Sequence, residues 1–171
     1  YVDGVVLKVN DLEQQEELGH VGDNPVNPPR YAIAWKFAEE VTEAVVSHIE
    51  WNASRTGRIV PTAIFQEPVV LADTLVSRAT VNNFGWVEVA GIGAGTKVNV
   101  KKAGKIIPNV CGVVSGRTSE VLYPENCPAC GSPVSFHVSD SGNKDLLCLN
   151  ELCCAKLVHS WLFFLNNIGT K

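Results

Sequence analysis

The apolar positions of the chain gather into five β-branched runs, Val41–Trp51, Ile59–Gln66, Thr74–Val81, Lys97–Lys102 and Ile106–Val114. Glycine, proline or short polar turns separate them, so each run predicts a strand. Phe84–Ala90, between the third and fourth runs, predicts a short helix. Five short strands with one helix after the third is the pattern of an OB-fold barrel, with an SH3-like or other small barrel as the rival. Ahead of this block, Tyr1–Val9 reads as a strand with Asp3-Gly4 at a turn. Leu12–Leu18 reads as a short polar helix, capped by Asn10 or Asp11 and ended by Gly19. Three prolines make residues 22–30 a loop, and Tyr31–Phe37 is strand-like with Lys36 embedded in it. Behind the block, residues 121–156 are cysteine-rich. Leu157–Leu165 starts an apolar helix that Asn166-Asn167-Ile168-Gly169 breaks.

Composition narrows the class. At 171 residues and 46% hydrophobic content the chain is one ordinary domain or a few small modules, and far too apolar for a disordered tail. No run of 18 apolar residues is free of charge, and no basic segment precedes an apolar core at the start, which excludes a helical membrane span and a signal peptide from the sequence given. The sequence opens at Tyr1 inside an apolar run and has no methionine. That predicts a piece of a longer chain.

Cysteine carries the strongest local signal. Residues 1–110 have none, and five of the six lie between Cys127 and Cys154. Cys127-Pro-Ala-Cys130 is followed by Cys148 and then by Cys153 or Cys154, a C-x2-C-x17-C-x4-C spacing, or x5 with the later residue. A CxxC knuckle offers two thiolates to one ion, and a returning hairpin supplies the second pair. Four sulfurs with no open position predict a structural zinc site. His137 and His159 fall outside the spacing, and Cys111 reads as a small buried apolar residue in a strand.

Lysine placement is the second signal. Lys97, Lys101, Lys102 and Lys105 crowd one predicted hairpin in a chain whose net charge is −4. They read equally as phosphate contacts or as the charged edge that keeps a strand from aggregating. Lys8 and Lys36 stand among apolar neighbours, where a nucleotide phosphate would be one partner and outward alternation into water the plainer account. Gly91-Ile-Gly93-Ala-Gly95 precedes a strand and is a turn, not a phosphate loop.

Taken in order, these blocks resemble the NAD-dependent (bacterial-type) DNA ligases. Asp3-Gly-Val-Val-Leu-Lys8-Val-Asn10 with the adjoining Leu12–Gly19 is similar to motif IV of their nucleotidyltransferase domain, and Arg30-Tyr-Ala-Ile-Ala-Trp-Lys36-Phe37 to motif V. Arg55-Thr56-Gly57-Arg-Ile-Val-Pro61 resembles the opening of their OB domain. Val76–Asn83 and Lys102-Ala-Gly104-Lys-Ile-Ile-Pro108 resemble its later strands, and the cysteine module resembles their four-cysteine finger.

The resemblance implies a mainly β chain. Residues 1–39 would be the C-terminal edge of an α+β adenylation domain, 40–122 a five-stranded OB barrel, 123–156 a zinc finger and 157–171 the start of a helix-hairpin-helix domain. It implies transfer of AMP from NAD to a lysine, then to the 5′-phosphate of a nick, with magnesium assisting. Asp3, Lys8 and Lys36 would serve catalysis, the two lysines also binding the nucleotide. Arg55, Thr56, Lys101, Lys102 and Lys105 would contact nicked duplex DNA. Cys127, Cys130, Cys148 and Cys153 would hold structural zinc. Tyr1-Val2-Asp3-Gly4 has tyrosine where the family's nucleophilic lysine motif has lysine, and the succeeding Val-Val-Leu-Lys8-Val-Asn10 marks it as the later motif. The nucleophile is therefore expected upstream, and this chain alone is expected not to self-adenylate. The whole protein would be a cytoplasmic monomer, bacterial or viral in a bacterial host, with a split-subunit partner as the variant organisation.

There are four departures from the family pattern: Ser54 for a glycine, Lys102-Ala-Gly-Lys105 for Arg-Ala-Gly-Asp, Cys154 for a proline, and a longer loop at 20–29. The first lysine keeps charge but loses the bidentate fork of arginine. The alternative readings are a non-catalytic OB and zinc nucleic-acid-binding module, and an RNA-acting OB and zinc-ribbon protein, which leaves residues 1–37 without a role.

Overall fold

The computed structural model describes residues 4–22, 26–36, 39–103, 107–139 and 142–168. The chain divides into two units, Tyr1–Glu39 and Glu40–Lys171.

In the first unit, β1 (Gly4–Lys8) and β2 (Ala32–Lys36) form an antiparallel ribbon with Gly4 opposite Lys36 and Lys8 opposite Ala32. Gly4 is thus a strand residue, not part of a turn. A Cβ there would lie 2.5 Å from the Trp35 carbonyl oxygen, so only glycine lets the strands meet at this point. Between the strands lies α1 (Leu12–Leu18). The Asp11 carboxylate accepts the N–H groups of Glu13 and Gln14 at 2.9 and 3.2 Å, satisfying two of the helix's free donors. The chain then returns through a loop in which Val21 N–H donates to Pro28 and Arg30 N–H to Gly19.

The second unit is built on β3 (Val41–Ala53), β4 (Arg58–Leu71), β5 (Thr74–Thr80), α2 (Phe84–Ala90), β6 (Lys97–Ala103) and β7 (Ile107–Ser115). The strand order β3-β6-β7-β5-β4 closes through β3–β4 pairing, and Thr80 pairs with Asn109 in parallel. Closure with one parallel contact between the third and fifth strands, and a helix between the third and fourth, is the OB-fold barrel that the β-branched runs predict. Its interior is Val46, Ala63, Val81, Val87, Val98, Val100 and Val110, each at most 1% exposed. Inward residues alternate with outward ones, as Val98 and Val100 do with Lys97 and Lys101. The same alternation corrects the reading of Cys111. Val110 takes the inward position, so Cys111 is exposed and its thiol donates to the Asn99 carbonyl at 3.4 Å.

The second strand is also longer than its predicted end at Gln66. It runs through Pro68 to Leu71, because a register shift against β5 between Ile64 and Val69 spares the proline a ladder bond. Thr96, fully buried, donates to the Gly116 carbonyl at 2.9 Å and accepts the Gly93 N–H at 3.0 Å, locking the turn after α2. Gly91 ends α2 in the left-handed region at φ 64°, so the glycine-rich stretch is a helix cap and turn.

The barrel sheet continues beyond its own strands. Arg58 and Ile59 of β4 pair with Leu147 and Leu146 of β9 (Lys144–Cys148), which pairs in turn with β8 (Val134–Val138). A second core sits at this seam, formed by Ala53, Ile59, Phe84, Leu146 and the three buried cysteines. Phe84 is its centre, with Trp51, Tyr123 and Phe136 rings at 6.0, 5.2 and 5.3 Å. Lys144 clamps the seam from outside. Its ammonium lies 3.0 Å from both carboxylate oxygens of Glu88 and over the Phe84 and Phe136 rings. The final helix, α3 (Cys154–Asn167), starts at the cysteine cluster itself, three residues before the apolar run.

Candidate metal centre and pocket lysines

The knuckle Cys127–Cys130 is a tight turn, in which Gly131 N–H donates to Cys127 O and Cys127 N–H to Ser132 O. Cys148 arrives at the end of β9, and Cys153 occupies the cap position of α3. The four Sγ atoms lie within 4.8 Å of one another. Cys127 to Cys153 is 3.9 Å and Cys130 to Cys148 is 3.6 Å. A tetrahedron of ~2.3 Å zinc–sulfur bonds has edges of roughly 3.8 Å, so these two edges are compatible with zinc. Geometry also decides between the adjacent cysteines. Cys154 turns away, exposed, and its thiol donates to the Ala129 carbonyl at 3.1 Å. His137 and His159 are exposed and outside the cluster.

The surroundings orient the ligands. Asn150, between Cys148 and Cys153, donates to Cys130 Sγ at 3.7 Å and to Ser132 Oγ at 3.1 Å, while its side-chain Oδ1 accepts the Leu152 N–H. Such outer contacts fix ligand direction. Hydrogen bonds from the Ser132 side chain and backbone bring the Cys130 thiol down to about 6. Burial pushes Cys148 up to about 12. A buried thiol of that kind loses its proton to solvent when a metal ion bound beside it stabilises the thiolate. Asn150 carries no spacing signal and escaped the sequence reading, as did the seam residues Lys144 and Glu88.

The module is anchored to the turn Ser54–Gly57 between β3 and β4. Cys148 N–H donates to Gly57 O at 2.8 Å, and a Cβ on Gly57 would fall 2.9 Å from Cys148 O and 2.4 Å from Lys156 Cε. With φ at +83° as well, the position takes glycine alone. Arg55 of this turn lies over the Phe163 ring of α3, 4.0 Å from its centroid. Thr56 pairs its hydroxyl with Ser54 at 3.2 Å.

The hairpin lysines are separated by the strand pleat. Lys97 forms an ion pair with Glu43. Lys101 faces outward opposite Val41, and Lys102 reaches the barrel end, where its ammonium donates to Ala72 O at 3.4 Å. Lys105 and Asp3 lie outside the described residues.

In the first unit, Lys8 and Lys36 share one ribbon face, because opposite residues of an antiparallel pair point the same way. They stand four residues apart, roughly 13 Å, with Gly4, Val6, Ala32 and Ala34 completing the face. Both are exposed. The opposite face carries Val5, Leu7, Ile33 and Trp35.

These features define an OB-fold protein with a four-cysteine cluster, able to hold a metal ion, at the rim of its barrel. The sequence profile of the NAD-dependent DNA ligase OB-fold domain matches residues 43–121, and that of the NAD-dependent DNA ligase adenylation domain matches residues 1–40. Curated proteins named DNA ligase are similar over nearly the whole chain. The one from Acetivibrio thermocellus is 42% identical over 95% of this chain and 24% of its own length. That from Pediococcus pentosaceus is 44% identical over 92% of this chain and 23% of its own. Two adjacent domains in the family's order, with that identity, place the chain in the NAD-dependent DNA ligase family. It spans about a quarter of the length of these curated relatives.

Proposed function

We propose that this chain is the part of an NAD-dependent nick-sealing ligase that grips the adenylate with one unit and duplex DNA with the other. The observation that carries the reading is the shared face of Lys8 and Lys36. Two cations flank a floor of Gly4, Val6, Ala32 and Ala34, whose short side chains leave room for a nucleotide with a lysine on either side of its phosphates. A pure binding module has no use for that arrangement. The lysines offset charge that builds on the phosphates during transfer of AMP from NAD to the enzyme and then to the 5′-phosphate of the nick. Asp3 belongs to the same motif, and magnesium shares the charge neutralisation. Zinc holds the cysteine module in its structural role.

Residues 1–39 belong to the adenylation domain, 40–122 to the OB domain, 123–156 to the finger and 157–171 to the helical domain that comes next. Lys101, Lys102 and Lys105 supply backbone contacts to nicked duplex. The intact protein acts as a monomer in the bacterial cytoplasm. Among the described residues no helix is long and apolar enough to cross a membrane.

Binding of a nicked duplex at a series of salt concentrations tests the DNA half. Each phosphate contact contributes about 0.9 to the slope of log affinity against log salt. The Lys101→Gln, Lys102→Gln protein is expected to lose about 1 to 2 from that slope. An unchanged slope would remove these lysines from the interface.

A further inference from the structure

The seam between barrel and cysteine module brings a second cation to the turn that carries Arg55. That turn is fixed by its backbone. Gly57 N–H donates to Ser54 O at 3.0 Å, and Cys148 N–H donates to Gly57 O at 2.8 Å. Cys153, of the same cluster as Cys148, caps α3. Lys156 is three residues further on, most of one helical turn, and so arrives at the same place. Its stem crosses Gly57, and its Nζ lies 3.0 Å from where a Cβ of that residue would stand. The missing side chain of Gly57 is what lets the stem pass.

Charge sets Arg55 and Lys156 apart from the other cations of this unit. Arg58, Arg78, Lys97 and Lys144 each lie within ion-pair distance of a carboxylate. Arg55 and Lys156 have no ion pair or hydrogen bond among the described residues. Arg55 has only the Phe163 ring beneath it, so its N–H donors are unused. Lys156 is half-buried besides. Two unpaired like charges at one turn, one of them partly desolvated, favour an anion that touches both. A phosphodiester suits them, with the arginine fork and the lysine point charge as its two kinds of partner.

We propose that Lys156 is a phosphate contact for duplex DNA, and that with Arg55 it forms a two-cation seat for the backbone across the seam of barrel and finger. The proposal rests on the ligase reading and extends it. The family resemblance places the Arg55 turn on DNA, and Lys156 adds a contact from the helix that starts at the cysteine cluster. The cluster then does more than hold the finger together, since it delivers this lysine to the turn. The competing role for Lys156 is to balance the negative charge of four thiolates around a divalent ion.

The experiment measures nicked-duplex binding by the zinc-loaded full gene product over a series of salt concentrations. Lys156→Gln is expected to lower the slope of log affinity against log salt by about 0.9, and Lys156→Arg to leave it unchanged. Arg55→Gln should lower it by the same amount and the double variant by about twice as much, because each phosphate contact releases its own counterions. Zinc content and melting point should stay at wild-type values in the Lys156 variants. The unaltered protein gives an independent reading. With duplex at about ten times its Kd, acylation of the Lys156 amine should slow about tenfold.

A wild-type slope in Lys156→Gln, or acylation of Lys156 that bound duplex does not slow, would overturn the seat. Loss of zinc with an unchanged slope would overturn it in favour of charge balance at the thiolates. If the wild type itself shows no salt-dependent affinity for nicked duplex, the ligase reading falls and the seat falls with it.

Discussion

Replacing Cys148 by serine is expected to release the metal and lower the melting temperature of the OB unit by roughly 10 °C or more. The size follows from where Cys148 sits. It is 2% exposed, ends the strand that extends the barrel sheet, and belongs to the same buried cluster as Ile59, Phe84 and Leu146. Structural zinc sites hold their ion with about 10–16 kcal/mol of apparent binding free energy, much of it folding free energy. Losing even a third of that corresponds to this shift, since 1 kcal/mol moves the melting point about 2–4 °C in a chain of this length. Cys154→Ser, one residue from the cluster, should keep one zinc per chain and the wild-type melting point.

Acid should act in the same direction as the serine. The Cys148 thiol, pushed up to about 12 by burial, must lose a proton when metal binds, so affinity rises with pH and falls on acidification. Zinc stoichiometry and thermal melting check the pair of variants. A Cys148→Ser protein with full zinc and an unshifted melt would show that the four thiols are not the metal centre.

Lys36→Ala and Lys8→Ala, made in the full gene product, are each expected to slow adenylate transfer from NAD about 100-fold or more, the usual effect of removing one preorganised charge partner of a transition state. Stability should not change, because both side chains are exposed and the ribbon is held by its backbone ladder. Incorporation of label from adenylate-labelled NAD reads the rate, and thermal melting supplies the control. Wild-type rates in both variants would detach the ribbon face from the nucleotide pocket.

The barrel was legible because its strands are β-branched runs between glycine, proline and polar turns. The helix Phe84–Ala90 is legible over its full span, since Asn83 caps it and Gly91 ends it within the local sequence. What local sequence could not show was set by long-range geometry. Pro68 lies beyond the predicted strand end at Gln66, yet a register shift accommodates it. Cys111 looked buried by residue type, but the pleat turns it outward. Spacing permitted either Cys153 or Cys154 as the fourth ligand, and the direction in which the α3 cap leaves the cluster selects the first. The family resemblance assigns Arg55 to DNA, while its ring partner lies more than a hundred residues later, where no motif would have signalled it. Lys144 and Glu88, 56 residues apart, were invisible for the same reason.

Membership of an NAD-dependent ligase is tested most directly by nick sealing with the full gene product that contains this chain, supplied with NAD or with ATP in separate reactions. The expected result is sealing with NAD and none with ATP. Sealing that requires ATP, or no sealing with either nucleotide by a folded, zinc-loaded protein, would contradict it.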